Sequence, residues 1–234
     1  MERNNGRPRR VETRDVLRAG REIGLRDLSM AAVAQKLGIS ATAVYRHVDG
    51  RWGLERLVGE DILAGLRFDD DPGLGVVPHL RSFALQLRDS VLQHPGLAHY
   101  IQTLFPRGEG GRKLLAEEAA ALERRGYSAE TAIQLCSAVA LVTIGFAAAE
   151  EAQRERGDGL DDQRREALTA LSADPHLERA HRALPEVDAN EYVRMWLGAA
   201  IRGFVDAAPP GCSIHEMRAA LHAAGEDESW RNEA

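Results

Sequence analysis

LSMAAVAQKLGISATAVYRHVDGRWGL, residues 28–54, decides the fold. Ser29 is a helix-capping residue type. After it, Met30, Val33, Ala34 and Leu37 recur at i, i+3, i+4 and i+7, one apolar stripe of a short helix. Gly38 interrupts the stripe, Ile39 follows, and Ser40 caps a third helix that Asp49-Gly50 ends. Helix, tight glycine turn, helix is helix-turn-helix spacing. On the third helix Val44 and Val48 stand i,i+4 and pack inward with Leu37 and Ile39. Thr42, Tyr45 and Arg46 then share the opposite face. A helix presenting such a face fits the major groove of B-DNA, where Arg46 forks onto guanine O6 and N7 and Thr42 meets a base edge or a thymine methyl. Tyr45, His47 and Arg51 reach phosphates, which set register rather than sequence. Ser29 and Ser40, at the two helix starts, complete the candidate DNA-binding residues of this stretch.

The flanks extend the same reading. Ahead of the stretch, NNGRPRR places Arg7, Arg9 and Arg10 on a proline-restricted, extended backbone. Extended arginines suit the narrow, negative minor groove. Residues 1–12 are therefore expected to be a flexible basic arm. Thr13 is expected to cap a first helix over 14–23, closed by Gly24. A fourth helix is expected over 51–67, so the head is placed at 13–67. FDDDPGLG, residues 68–75, breaks the pattern and marks a boundary.

Charge follows that boundary. The 234 residues carry a formal net charge of −6. Through Arg67, thirteen Lys and Arg stand against nine Asp and Glu; the remainder has seventeen against twenty-seven. The basic end is the one suited to a polyanion. Two distant cysteines, Cys136 and Cys212, exclude a disulfide framework or a cysteine-built zinc site and fit a reducing cytoplasm.

Beyond the boundary the pattern stays helical, at 76–94, 97–104, 110–125, 129–155 and 190–207, with no alternating strand signal. Residues 156–187 read as a charged loop holding one or two short helices. Residues 75–208 are expected to form one helical domain, and 209–234 a tail with a small helix at 213–224. AIQLCSAVALVTIGFAAA, residues 132–149, is uncharged over eighteen positions. An alanine-rich stretch with Gln134, Ser137 and Thr143 reads as a buried helix rather than a membrane span. A largely apolar pocket is expected among these helices, with Phe83, Leu87, His94, Tyr100, Phe105, Gln134, Thr143, Phe146 and Glu150 as candidate ligand-binding residues. Gln134 and Thr143 stand out, because a polar group inside an apolar helix needs a partner. The long helices also carry candidate dimer-interface residues: Ala140 and Gly145 permit close approach, and Trp196, Leu197, Ile201 and Phe204 supply bulk. Two-fold symmetry is expected because one short helix reads too few bases.

Residues 28–54 resemble the DNA-binding region of TetR-family transcriptional repressors. Ser29, Leu37, Gly38, Tyr45, His47, Val48 and Arg51 match that family's pattern position by position. More weakly, 80–103 and 110–156 are similar in rhythm to the tetracycline-repressor branch, with ALERRGYSAETAIQLCSAVALVTIGFAAAEE (121–151) the nearest stretch. The resemblance implies an all-α, Ω-shaped homodimer with an N-terminal helix-turn-helix head and a C-terminal ligand-binding and dimerisation domain. It implies double-stranded DNA with an inverted repeat as one partner and a small-molecule inducer as another. The first helix is shorter than the family's by about four residues, close to one turn. Where that branch holds a metal–drug complex with a sixth-helix His and an eighth-helix Glu, this chain has Tyr100 and Ala149. Neither magnesium nor tetracycline is therefore expected, nor any cofactor or metal.

The rival readings are a helical small-molecule-modifying enzyme and a dimeric interaction module that does not bind DNA. No nucleophile-elbow, P-loop, dinucleotide or HExxH pattern supports the enzyme, so no catalytic residue is assigned.

Overall fold

A computed structural model describes residues 11–104, 106, 108–157, 159–185 and 187–226. Arg7, Arg9 and Arg10 of the expected arm, and Phe105 of the expected pocket, lie outside the described residues. Among the described residues there is no strand. The helices are α1 Thr13–Ile23, α2 Met30–Leu37, α3 Ala41–Val44, α4 Gly50–Gly65, α5 Val76–Leu92, α6 Leu97–Leu104, α7 Glu109–Glu123, α8 Ala129–Glu155, α9 Gly159–Leu171, α10 Pro175–Ala183, α11 Ala189–Ala207 and α12 Ile214–Glu226.

The chain divides into two compact units: Met1–Arg67 with Gln93–Leu114, and Phe68–Leu92 with Leu115–Ala234. The sequence boundary at 68–75 is where the first unit's leading segment ends. The expected domain 75–208 differs, because α6 and the start of α7 belong with the head.

The first unit is held by a core from α1, α2, α4 and α6. Val16, Val33, Val44, Leu54, Val58 and Leu97 are fully buried. Leu54, Val58 and Ile62 recur every four residues and give α4 its inner face. α6 joins it at one close approach. The Tyr100 ring lies against Gly59, where an added Cβ would stand 2.5 Å from Tyr100 Cε1. The Tyr100 hydroxyl donates to Glu60 Oε1 at 3.1 Å. The same carboxylate accepts the amides of Gly108 at 2.7 Å and Gly111 at 3.0 Å. One acidic side chain thus gathers a phenol and two amides around the first turn of α7, where a negative charge also meets the helix dipole favourably.

The second unit is built on α8. This helix is long and apolar enough to cross a membrane by length and composition. It is also the helix against which α5, α11 and α12 pack. Leu135, Val139, Ile144 and Ala147 form its buried side. The small helix expected in the tail is α12, which buries Met217 and contacts α8 and α11. The segment following Arg67 is fastened to this unit. Asp70 pairs with Arg125 at 2.5 Å and with Arg124 at 2.6 Å, and its Oδ1 lies 3.1 Å from Nδ1 of the buried His79. His79 Nε2 stands 2.8 Å from Glu118 Oε1. The Arg125 guanidinium, supported by Arg124 and the His79 ring, holds the Asp70 carboxyl well below its usual range, at about 2. Burial pushes the nearby Cys136 thiol up to about 12, which makes it a packing residue rather than a nucleophile.

α9 and α10 bury no residue. Their polar sides are laced by neighbouring ion pairs, Asp161–Arg164, Asp162–Arg165 and Glu178–Arg182.

Candidate nucleic-acid interface and ligand cavity

The groove-facing surface arises from three local choices. Ser29 Oγ accepts the Ala32 amide at 3.1 Å and starts α2. Gly38 ends it at φ 66°, the left-handed conformation that side chains disfavour, and the Ile39 amide reaches back to Ala34 O at 3.0 Å. Ser40 Oγ then accepts the Ala43 amide at 3.2 Å and starts α3. Both serines therefore serve as caps. The third helix is shorter than the sequence implies. Its α-helical part is Ala41–Val44, and tighter i→i+3 bonds carry the chain on, from Arg46 N to Ala43 O and from His47 N to Val44 O.

Val44 is fully buried and Val48 is 9% exposed, so both anchor the turn. Opposite them Thr42, Tyr45 and Arg46 are exposed, Tyr45 by 58%. Arg46 is within ion-pair distance of no carboxylate among the described residues. His47 is half-buried, its Nδ1 3.5 Å from the Thr13 hydroxyl. Thr13 is not the α1 cap. That role falls to Glu12, whose own amide donates to Asp15 Oδ2 at 3.0 Å in a reciprocal capping box. Arg51 donates to Glu55 Oε1 at 2.7 Å along the outer face of α4.

Trp52, 68% exposed beside Arg51, has no counterpart in the sequence reading. The signal was present: Trp52 lies about 200° around the helix from Leu54, the start of the buried stripe. An indole held off the core beside a guanidinium is suited to a sugar-phosphate backbone.

The ligand-binding candidates separate. Phe83 and Leu87 are buried on α5, in the core of the second unit. His94 is half-buried, between α5 and α6 in sequence. Tyr100 belongs to the first unit, bonded to Glu60. Gln134 is exposed rather than enclosed. Thr143 is buried, but its hydroxyl donates to Val139 O at 2.7 Å, so its own helix satisfies it. Phe146 and Glu150 line a cavity. That cavity, about 440 Å³, lies in the second unit among Phe146, Glu150 and Gln153 of α8, Arg164 of α9, and Tyr192 and Val193 of α11.

Glu150 is held rigidly. Its Oε2 accepts from Arg88 Nε at 3.0 Å and Nη2 at 2.6 Å, and its Oε1 accepts from Arg154 at 2.6 Å. Arg88, 5% exposed, also donates to Asn190 Oδ1 at 2.8 Å. Removing Glu150 would strand the buried Arg88 charge, which destabilises far more than the intact pair contributes. Among the described residues no three His, Cys, Asp or Glu side chains converge to hold a metal ion.

The interface candidates also separate. Leu197 and Ile201 are buried within their own unit, at 2% and 1% exposure. Ala140 and Phe204 are half-buried, whereas Gly145 and Trp196 are exposed. Further large apolar side chains are exposed on the same two helices: Ile133 and Leu141 on α8, Tyr192 and Met195 on α11.

No protein-family profile matches the chain, and no curated protein sequence matches it significantly. Solved structures do match. The TetR family protein ActR of Streptomyces coelicolor, in complex with actinorhodin, aligns at 23% identity over 87% of this chain and 99% of its own, with a TM-score of 0.70. A putative transcriptional regulator from Streptomyces coelicolor A3(2) aligns at 25% identity over 86% and 100%, with a TM-score of 0.62. A TetR variant from Acinetobacter baumannii AYE, in complex with minocycline, aligns at 18% over 84% and 98%, with a TM-score of 0.58. The chain has the all-helical fold of TetR-family proteins.

Proposed function

We propose that the chain is a ligand-responsive, DNA-binding transcription regulator. In this reading it is a homodimeric repressor that a small-molecule inducer releases from an inverted-repeat operator. The observation that carries the reading is the face of Thr42, Tyr45 and Arg46, solvent-exposed and set on the buried Val44 and Val48. Arg46 reads guanine and Thr42 a base edge, while Tyr45, His47, Arg51 and Trp52 hold the backbone. Arg7, Arg9 and Arg10 supply the minor-groove arm.

Ligand response is supported by the cavity beside Phe146 and Glu150, and by neighbours of the same fold that were solved with actinorhodin or minocycline bound. The inducer acts by binding better to a conformation whose heads no longer match successive major grooves. A hundredfold loss of DNA affinity requires a differential of about 2.7 kcal/mol between the two conformations. Dimerisation is supported by the exposed apolar residues Ile133, Leu141 and Gly145 on α8 and Tyr192, Met195 and Trp196 on α11.

Selection of bound sequences from random duplex DNA tests the proposal. The expected result is an inverted repeat with two identical half-sites. Recovery of no enriched sequence, or of one lacking two-fold symmetry, overturns it.

A further inference from the structure

The cavity at α8, α9 and α11 has a chemical bias that narrows what it holds. One wall is apolar and partly aromatic: Phe146, Ala149, Val187, Tyr192 and Val193. Tyr192 is steadied by Trp196, edge to face with ring centroids 6.1 Å apart. A volume of about 440 Å³ takes a molecule of two or three fused rings.

The polar side carries two charged residues, Glu150 and Arg164, and they are not equivalent. Both oxygens of Glu150 are already held by guanidinium groups, Oε2 by Arg88 and Oε1 by Arg154. A cationic ligand finds Glu150 already neutralised there and meets the Arg164 guanidinium on the same lining. Arg164 is differently placed. It is half-exposed, donates to Gln153 Oε1 at 2.8 Å, and stands 3.5 Å from an Asp161 whose side chain is 71% exposed. Such a long, solvated ion pair contributes little and is readily exchanged for another anion. A bidentate carboxylate satisfies the fork of a guanidinium better than one distant, hydrated partner does. The Gln153 amide, bonded through its oxygen, keeps its N–H donors for the same anion.

We infer that this cavity binds an aromatic acid, its rings between Phe146 and Tyr192 and its carboxylate or other ionised oxygen on Arg164 and Gln153. The inference deepens the ligand-responsive reading and rests on it only for the effect on DNA. Binding itself is measured without DNA.

The experiment is calorimetric titration of the full-length protein with 2-naphthoate, its neutral amide, and 2-naphthylmethylammonium. Two variants accompany it. Arg164→Ala removes a half-exposed side chain, and Ala149→Trp fills the cavity from an exposed position, with Ala189→Phe as a second filling variant. The expected result is binding of naphthoate at least about tenfold tighter than the amide, and weaker still for the ammonium. Arg164→Ala erases the preference for the acid, and either filling variant abolishes binding. Amide or ammonium binding as tight as naphthoate overturns the acid class and leaves the cavity standing. Naphthoate binding untouched by both filling variants places the ligand elsewhere and overturns the inference. Absence of binding by all three probes at millimolar concentration overturns it as well. Naphthoate binding as expected in a protein that selects no DNA leaves the inference intact and overturns the regulator reading instead.

Discussion

The Tyr100 ring and Gly59 touch so closely that α6 and α4 behave as one piece. A Cβ at position 59 would stand within 2.5–2.7 Å of three ring carbons. Behind the ring, the Tyr100 hydroxyl reaches the next residue of α4, Glu60. The helix that follows the recognition turn is thereby joined to the α6–α7 junction by shape and by hydrogen bonds together.

That contact sets two glycines of one helix in opposition. Gly59→Ala forces the ring to move and is expected to destabilise the protein by about 1–3 kcal/mol, the usual range for overpacking. At Gly65, in the same helix, nothing lies within 4 Å of an added Cβ. Gly65→Ala is expected to stabilise by roughly 0.5–1 kcal/mol, by lowering the entropy of the unfolded chain. Urea unfolding midpoints check both. Equal effects of the same sign at the two positions would contradict the tight α4–α6 contact.

Arg46→Ala is expected to weaken operator binding by about 1–3 kcal/mol and to relax sequence choice at one or two base pairs per half-site. The measurement is competition of variant operators against the selected sequence at fixed salt. A uniform loss across all sequences would place Arg46 on phosphate, and base reading would then fall to Thr42.

How much of this was legible differs by element. The helix-turn-helix was legible because its determinants are local: a cap, a four-residue apolar period and one left-handed glycine between Ser29 and Val48. The Glu60–Tyr100–Gly111 cluster was not. Its members are 40 and 51 positions from Glu60, and no short pattern marks an acid as the acceptor for a distant amide. The same limit holds for two of the pocket candidates. Thr143 and Gln134 both look conspicuous in an apolar helix, yet one satisfies itself through Val139 O and the other faces outward. Glu150 was found, but its partner Arg88 lies 62 positions away, and Asn190, which Arg88 also holds, lies 102 positions from Arg88. α9 and α10 are the two short helices expected within 156–187, and they fill more of that segment than a loop reading implies. Their ion pairs at i+3 and i+4 are a local signal that the charge density of 156–187 masked.

Asp70 gives a pH dependence with a defined sign. Its carboxyl titrates at about 2 in the folded protein against 3.8 ordinarily. The unfolded chain therefore takes up its proton first as pH falls. The stabilisation is complete above the unfolded value and is lost between about pH 4 and pH 2. Its size is on the order of 1–2 kcal/mol, since the partly exposed site is screened. Asp70→Asn is expected to lower stability at pH 7 and to flatten the acid limb of the stability profile. Denaturant melts at pH 7 and at pH 3 measure this. Parallel profiles for the two proteins would show that the arginine clamp at Asp70 contributes nothing.

The exposed apolar residues of α8 and α11 yield a prediction about assembly. Leu141 is 65% exposed and Trp196 is 49% exposed in the single chain, although each lies on a helix whose other side is core. Leu197 and Ile201 occupy that core side, so substituting them would test folding rather than association. Leu141→Glu and Trp196→Glu place charge on the open side and leave the core intact. Sedimentation equilibrium is expected to give a dimer for the natural chain at micromolar concentration and a monomer for the double variant, with helix content unchanged by circular dichroism. The monomer is also expected to lose nearly all operator binding, because a single head contacts only one half-site. A double variant that remains dimeric would move the interface away from α8 and α11, and the unpacked helices α9 and α10 would then be the surfaces to substitute next.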